Sequence, residues 1–142
     1  MSAREIDTAV VETRSHGRYR VAAPAGEAAG ILVGFHGYGE SGEDHFAELQ
    51  RIPHADLWAL VAVDALHAFY DRKAARVVRS WMTKDLRAEA IDDNVRYVRA
   101  ILETVRKRFG WRLPLVLLGF SQGASMAWRA ALLGGHEVEA VV

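Results

Sequence analysis

Residues 115–123 read Leu-Val-Leu-Leu-Gly-Phe-Ser-Gln-Gly, an apolar run of strand length passing directly into Gly119-Phe120-Ser121-Gln122-Gly123. The residues from Ser121 to Leu133 suit a helix, so the pentapeptide is a strand-to-helix turn with a serine at its apex. A side chain raised at such a turn crowds the backbone on either side. Glycine before and after the serine removes the Cβ atoms that would collide. Ser121 is therefore the first candidate nucleophile. No other feature of the chain restricts its fold as strongly.

The rest of the chain alternates in a way that agrees with this turn. Two short strands are expected at about Ile6–Thr13 and Tyr19–Ala23, turned at Ser15-His16-Gly17. Ile31–Phe35 is continuously apolar, as for a strand buried on both faces. The turn His36-Gly37-Tyr38-Gly39-Glu40-Ser41-Gly42 follows, leading into a short helix near Glu43–Arg51. Trp58–Val63 is the next strand, and residues 65–82 read as a long connection. From Asp85 to Phe109, Ile91, Val95, Val98, Leu102, Val105 and Phe109 recur at spacings of three and four, one face of a long helix. Arg106, Lys107 and Arg108 suit its C-terminal end and Gly110 its stop. Val138–Val142 begins another strand. The expected architecture is one α/β domain over residues 1–142, with a mostly parallel sheet, helices on both faces and an N-terminal antiparallel hairpin. Ligands on such sheets sit at the carboxyl ends of the strands, where both glycine-rich turns fall.

Composition narrows the chemistry. Lys plus Arg and Asp plus Glu number 18 each, so no net field draws the chain to nucleic acid or an anionic membrane surface. The chain has no cysteine, which excludes disulfides, thiolate metal sites and a cysteine nucleophile together. There is no apolar leader and no stretch long enough to span a bilayer, which leads to the expectation of a cytoplasmic protein. A serine nucleophile also needs preorganised donors for the oxyanion. One is the backbone N–H after the serine, that of Gln122; the other belongs to the loop after an earlier strand, here the His36–Gly39 turn.

These two segments carry a resemblance. Gly34-Phe35-His36-Gly37-Tyr38-Gly39-Glu40-Ser41-Gly42-Glu43-Asp44, with Gly119-Phe120-Ser121-Gln122-Gly123-Ala124-Ser125, resembles the phospholipase/carboxylesterase branch of the α/β-hydrolase superfamily, which includes acyl-protein thioesterases. Ser80-Trp81-Met82 is similar to the loop bordering that family's acyl pocket. The resemblance implies an α/β-hydrolase fold and hydrolysis of small esters or thioesters through an acyl-enzyme on Ser121. It assigns the oxyanion N–H groups to Tyr38 and Gln122, places Trp81 in the substrate channel, and calls for no cofactor and no metal. Family members carry the triad aspartate and histidine after the nucleophile, in segments without counterpart among the 21 residues that follow Ser121. The expectation is a C-terminally incomplete hydrolase domain. Its last strand would be an apolar edge open to self-association or to a complementing chain.

Several residues admit more than one reading. His36 either holds its turn by a hydrogen bond or acts as a base. His136 lies about 20 Å along the helix from Ser121, out of reach for proton transfer. Asp64, His67 and Asp71 match no metal-ligand spacing. Phe69 and Tyr70, with Tyr38 and Trp81, either line a substrate pocket or pack the loop. Arg72, Lys73, Arg76 and Arg79 are either a solvated run or a site for an anionic group. At the level of the whole chain, the alternatives to a hydrolase are a non-catalytic binding or assembly module on the same half-fold, or a transferase using the same elbow.

Overall fold

A computed structural model describes residues 2–73 and 75–142. Five strands form the main sheet: β1 (Tyr19–Ala22), β2 (Ile31–Phe35), β3 (Ala59–Val63), β6 (Leu115–Gly119) and β7 (Ala140–Val141), in the order β1-β3-β2-β6-β7. β1 is antiparallel to β3 and all other pairs are parallel. The helices are α1 (Gly42–Leu49), α2 (Arg87–Phe109) and α3 (Gln122–Leu133), with one 3₁₀ turn at Ala55–Leu57. Between β3 and α2 lies a separate two-stranded hairpin, β4 (His67–Asp71) with β5 (Arg76–Ser80).

β2 is the centre of the construction. All five of its residues are buried, and it is paired on both edges, with Phe35 opposite Val63 on one side and Gly119 on the other. Successive side chains of a strand point to opposite faces. Ile31, Val33 and Phe35 join the larger core with Val98, Leu102 and Val105 of α2 and Met126 and Ala127 of α3. Leu32 faces the other way, into a smaller cluster with Leu49 of α1, Leu60 and Ala62. Full burial of one such side chain contributes about 1.5–3 kcal/mol, so the continuously apolar sequence is what makes a two-faced central strand favourable here. The register of Phe35 with Gly119 also ends both strands at one level. The turns that follow them therefore open at the same end of the sheet.

Local chemistry sets the helix ends. Ser41 caps α1, accepting from Asp44 N–H at 3.2 Å, while the Asp44 carboxylate accepts from Ser41 N–H at 3.1 Å. This reciprocal box starts the helix immediately after the turn. α2 ends at Gly110, whose φ of 139° suits only glycine. Buried Arg106 in its last turn donates to the carbonyls of Trp111, Leu113 and Glu137, tying the helix end to the chain entering β6 and β7.

Two sequence expectations need correction. The strand at Ile6–Thr13, and with it the N-terminal hairpin, is absent: residues 2–18 carry no regular secondary structure, and the antiparallel partner of β1 is β3. Ile6, Val10 and Val11 are exposed, with no apolar face to bury against. Gly17 serves close packing rather than a hairpin turn. A Cβ there would lie 2.1 Å from the Tyr97 ring. That ring is fixed by its hydroxyl, which donates to Arg18 O at 3.0 Å and Asp64 O at 2.8 Å. The second correction is the hairpin inside residues 65–82. Its turn lacks the glycine or asparagine that announces a tight hairpin, and Ala75 takes φ 51° instead.

The Gly17 contact gives a direct test. Gly17→Ala forces the Tyr97 ring off its two acceptors, and urea denaturation should show a loss of about 1–3 kcal/mol. Wild-type stability in this variant would mean that the segment before β1 is not packed on α2.

Candidate active site

Ser121 stands between β6 and α3 with φ 54° and ψ −116°, and its side chain is exposed. A non-glycine residue in this region costs of order 1–3 kcal/mol and persists only where the surroundings enforce it. The enforcement comes from both neighbours. A Cβ on Gly119 would sit 2.4 Å from Gly123 O, and one on Gly123 would sit 2.0 Å from Phe35 O and 2.5 Å from His36 O. The elbow is thus pressed against the end of β2, and Phe120 N–H donates to Phe35 O at 3.1 Å. Among the described residues the Ser121 side chain makes no hydrogen bond.

The turn after β2 lies alongside. Gly39 N–H donates to Arg79 O at 3.0 Å, Arg79 N–H to Glu40 O at 2.9 Å and Glu40 N–H to Gly37 O at 3.3 Å. The hairpin that the sequence hid therefore braces this turn through β5. Tyr38 N–H has no acceptor among the described residues, and the same holds for Gln122 N–H in the first turn of α3, where helical N–H groups lack intrahelical partners. The Tyr38 side chain is largely exposed and stacks on Phe69, with ring centroids 5.3 Å apart. Tyr70, next along β4, projects to the opposite face and is 80% exposed.

His36 is fully buried and has a structural part. Its Nε2 accepts from Ala65 N–H at 3.0 Å, which leaves Nδ1 to donate to Gly37 O at 2.7 Å. The neutral ring so fixed clips the turn after β2 to the chain after β3. Burial holds its pKa below the ordinary histidine value, outweighing the opposing hydrogen bond to Gly37 and the charge of Asp64.

Trp81 departs from its expected place in a substrate channel. It is 1% exposed, lies against Phe35 and His36, and donates from Nε1 to His36 O at 2.8 Å. It supports the turn from within. Gln122 holds it there by a side-chain role the sequence did not announce. Its Oε1 accepts from Trp81 N–H at 2.8 Å, and its Nε2 donates to Met82 O at 3.0 Å and Ser80 Oγ at 3.1 Å. Asn94 of α2 closes the set, donating to Trp81 O at 2.7 Å. The residue after the serine thus clamps the loop carrying Trp81, and Trp81 in turn holds the turn carrying Tyr38.

Asp64 is the second residue whose weight was not legible. It is 2% exposed, accepts from Gly42 N–H at 2.7 Å and faces Arg18 at 3.1 Å, Arg20 at 3.3 Å and Arg79 at 3.7 Å. A buried carboxylate needs this degree of pairing. It draws Arg79 out of the basic run. Arg76 leaves the run as well, pairing with Asp44 at 2.8 Å and holding that carboxyl below its ordinary range. Among the described residues no group of three or more His, Asp or Glu is placed to hold a metal ion. No described helix is long and apolar enough to cross a membrane.

An exposed serine on a strained strand-to-helix turn, beside a second glycine-rich turn with a free N–H, is an arrangement other proteins can be compared with. A model of the phospholipase/carboxylesterase family matches residues 16–142. The chain belongs to the phospholipase/carboxylesterase family. Solved α/β hydrolases share the fold: a carboxylesterase from Mesorhizobium loti (TM-score 0.67, 20% identity, 92% of this chain and 61% of that one). Esterase PE8 is similar (TM-score 0.63, 25% identity, 88% and 61%), as is Zea mays acyl-protein thioesterase 2 (TM-score 0.60, 22% identity, 82% and 51%). The chain thus spans between half and two thirds of the length of these structures. No curated protein matches the sequence. Within the family fold, the α/β architecture expected from the strand and helix order is the one observed.

Beside the elbow, His45 of α1 is 4% exposed, and its Nε2 has no partner. Burial lowers its pKa to about 4, with the nearby His36 adding to the effect. The ring is therefore neutral when folded and binds a proton more readily when unfolded. Above the ordinary value of about 6.5 neither state is charged, and the His45 contribution to stability is fully present. It is lost as pH falls from about 6.5 towards 4. Urea midpoints of wild type and His45→Phe, compared at several pH values, should diverge over this window, the wild type losing on the order of 2–3 kcal/mol more. Parallel pH curves would show that the ring titrates freely in the fold.

Proposed function

We propose that this chain forms the nucleophile half of a serine carboxylesterase or thioesterase acting on small ester or thioester substrates. The observation that carries the reading is Ser121, exposed at φ 54° at the sheet end where the Tyr38 turn also opens. Ser121 Oγ attacks the carbonyl carbon, and the carbonyl oxygen becomes an oxyanion received by the N–H groups of Tyr38 and Gln122. The tetrahedral species collapses by breaking the C–O or C–S bond, and the leaving group departs with a proton. Water then attacks the acyl-enzyme, releases the acid and restores the hydroxyl.

The proton transfers require a base. Both ring nitrogens of His36 are committed to Gly37 and Ala65, and no imidazole is hydrogen-bonded to Ser121 among the described residues. In this reading the histidine and its aspartate come from polypeptide beyond these 142 residues. On its own the chain would keep only the rate that an oxyanion site and binding provide, about 10³–10⁴ over water in well-studied proteases. The Tyr38–Phe69 pair flanks the mouth, Trp81 sits behind it, Tyr70 points away on the other face of β4, and no metal or organic cofactor takes part.

A second reading has its own observation. β7 is the outer strand of the sheet, Val142 beside it is 69% exposed, and an apolar groove of ≈ 340 Å³ between Leu32, Ile52, Trp58, Leu118 and Val142 runs beneath. A strand pairing with this edge would make the chain an assembly or binding module.

One set of samples separates the two. The folded chain is treated with a serine-directed fluorophosphonate beside Ser121→Ala, and its mass in solution is followed by light scattering. Labelling that depends on Ser121 supports the hydrolase reading. A folded sample that associates with rising concentration and stays unlabelled even when imidazole is added as the external base supports the assembly module and contradicts the first reading.

A further inference from the structure

Two apolar surfaces of the described chain are left uncovered, and they belong to opposite faces of the sheet. A parallel sheet is ordinarily covered by helices on both faces. On one face α2 and α3 pack over the larger core. On the other, α1 lies over β1, β3 and β2. Beside α1 that face opens into the apolar groove of ≈ 340 Å³ bounded by Leu32, Ile52, Trp58, Val116, Leu118 and Val142. The strand β6 records the difference between its two sides. Leu115 and Leu117, which meet the helices, are buried, whereas Val116 and Leu118, which line the groove, are only half-buried.

The second surface is the outer side of α3. Met126, Ala127 and Ala130 turn towards the sheet and are buried. Trp128 and Leu132, four residues apart and so neighbours on one side of the helix, are largely exposed, as is Leu133 beside them. The charges of the two surfaces are opposite. α3 contains no acidic residue, and its one cation, Arg129, donates to Met82 Sδ at 3.4 Å and pairs with no carboxylate among the described residues. Past Ile52 and Leu118 the groove continues to Glu40 and Glu48, and no cation lines either stretch among the described residues. Each surface therefore offers what the other lacks: an apolar floor with acidic residues at its edge, and an apolar helix face flanked by an unpaired arginine.

We propose that α3 of one copy of this chain docks in the groove of a second copy, with Trp128 and Leu132 against Leu32, Ile52 and Leu118 and with Arg129 towards Glu40 and Glu48. The sheet separates the helix face from the groove, so the two cannot meet within one chain. Each copy uses its α3 on one neighbour and its groove on another. Such a head-to-tail contact leaves a groove free at one end and a helix face free at the other, so it extends instead of closing at a pair. This distinguishes it from strand pairing at β7, where two identical edges meet symmetrically and stop at two copies. The inference goes beyond the hydrolase reading of Ser121 and holds independently of it.

The test is the mass of the 142-residue chain in solution, followed by sedimentation at about 10–500 μM, a range suited to a small interface. The wild type should pass beyond two copies as concentration rises. Trp128→Glu spoils the helix face and Ile52→Glu the groove, and each should weaken association at least about tenfold. Trp128 is exposed, so its variant should keep the wild-type circular dichroism; Val142→Glu serves as the groove variant if Ile52→Glu unfolds. Mixing the two variants is the decisive step. One intact groove then meets one intact helix face, and the mixture should form a species of two chains and nothing larger. A wild type that stays monomeric throughout would overturn the proposal, as would one that stops at two copies. Undiminished association in folded Trp128→Glu, or a mixture that stays monomeric, would overturn it equally.

Discussion

The site depends on one point where two backbones touch. The first turn of α3 can lie on the carbonyls of Phe35 and His36 only because Gly123 has no Cβ; an added methyl would stand 2.0 Å from one and 2.5 Å from the other. This contact brings the Ser121 elbow against the Tyr38 turn. With β2 and β6 in register at Phe35 and Gly119, it gives the two turns a common origin. Neither turn has the right neighbour without the other. The strain at Ser121, of order 1–3 kcal/mol, is sustained because the packing around it offers the chain no relaxed alternative.

Around this contact the protein builds a closed chain of hydrogen bonds from residues that do not face substrate. Gln122 holds the Ser80–Met82 loop, Trp81 in that loop holds His36 O, and His36 joins Gly37 to Ala65. Asp64 anchors the next stretch, binding Gly42 N–H and gathering three arginines. Each link satisfies a buried polar group whose loss would cost about 1–3 kcal/mol. The turns carrying the free N–H groups of Tyr38 and Gln122 are thereby held in place, which is what the proposed oxyanion role requires of them. That arrangement is worth most when the donors need not move during the reaction.

How much of this was legible in the sequence follows from the range of each signal. β2, β6, α2 and α3 were readable because apolar run length and three-to-four spacing are local properties, and the structure places them within a few residues of expectation. The elbow was readable because glycine, serine and glycine at fixed offsets each answer a steric demand. The hairpin of β4 and β5 was hidden. Its strands are half exposed and its turn has no glycine, so its pairing is set by contact with Glu40 rather than by its own pattern. Gly17 misled for the converse reason: a turn-forming residue was present, but its glycine answers the Tyr97 ring from α2. Trp81 was located by resemblance and its role misjudged, because burial of an indole depends on a carbonyl 45 residues away in the chain. Asp64, Asn94 and the side chain of Gln122 carried no local signal. Their partners are distant in sequence, and only the fold brings them together.

The central claim is that the Gly123 contact positions both turns at once, and backbone amide shifts in Gly123→Ala test it most directly. The added methyl must push α3 away from the end of β2. The account predicts that the amides of Tyr38 and Gln122 both move while those of β1, at the far edge of the sheet, do not. Displacement confined to α3, with Tyr38 unmoved, would contradict it.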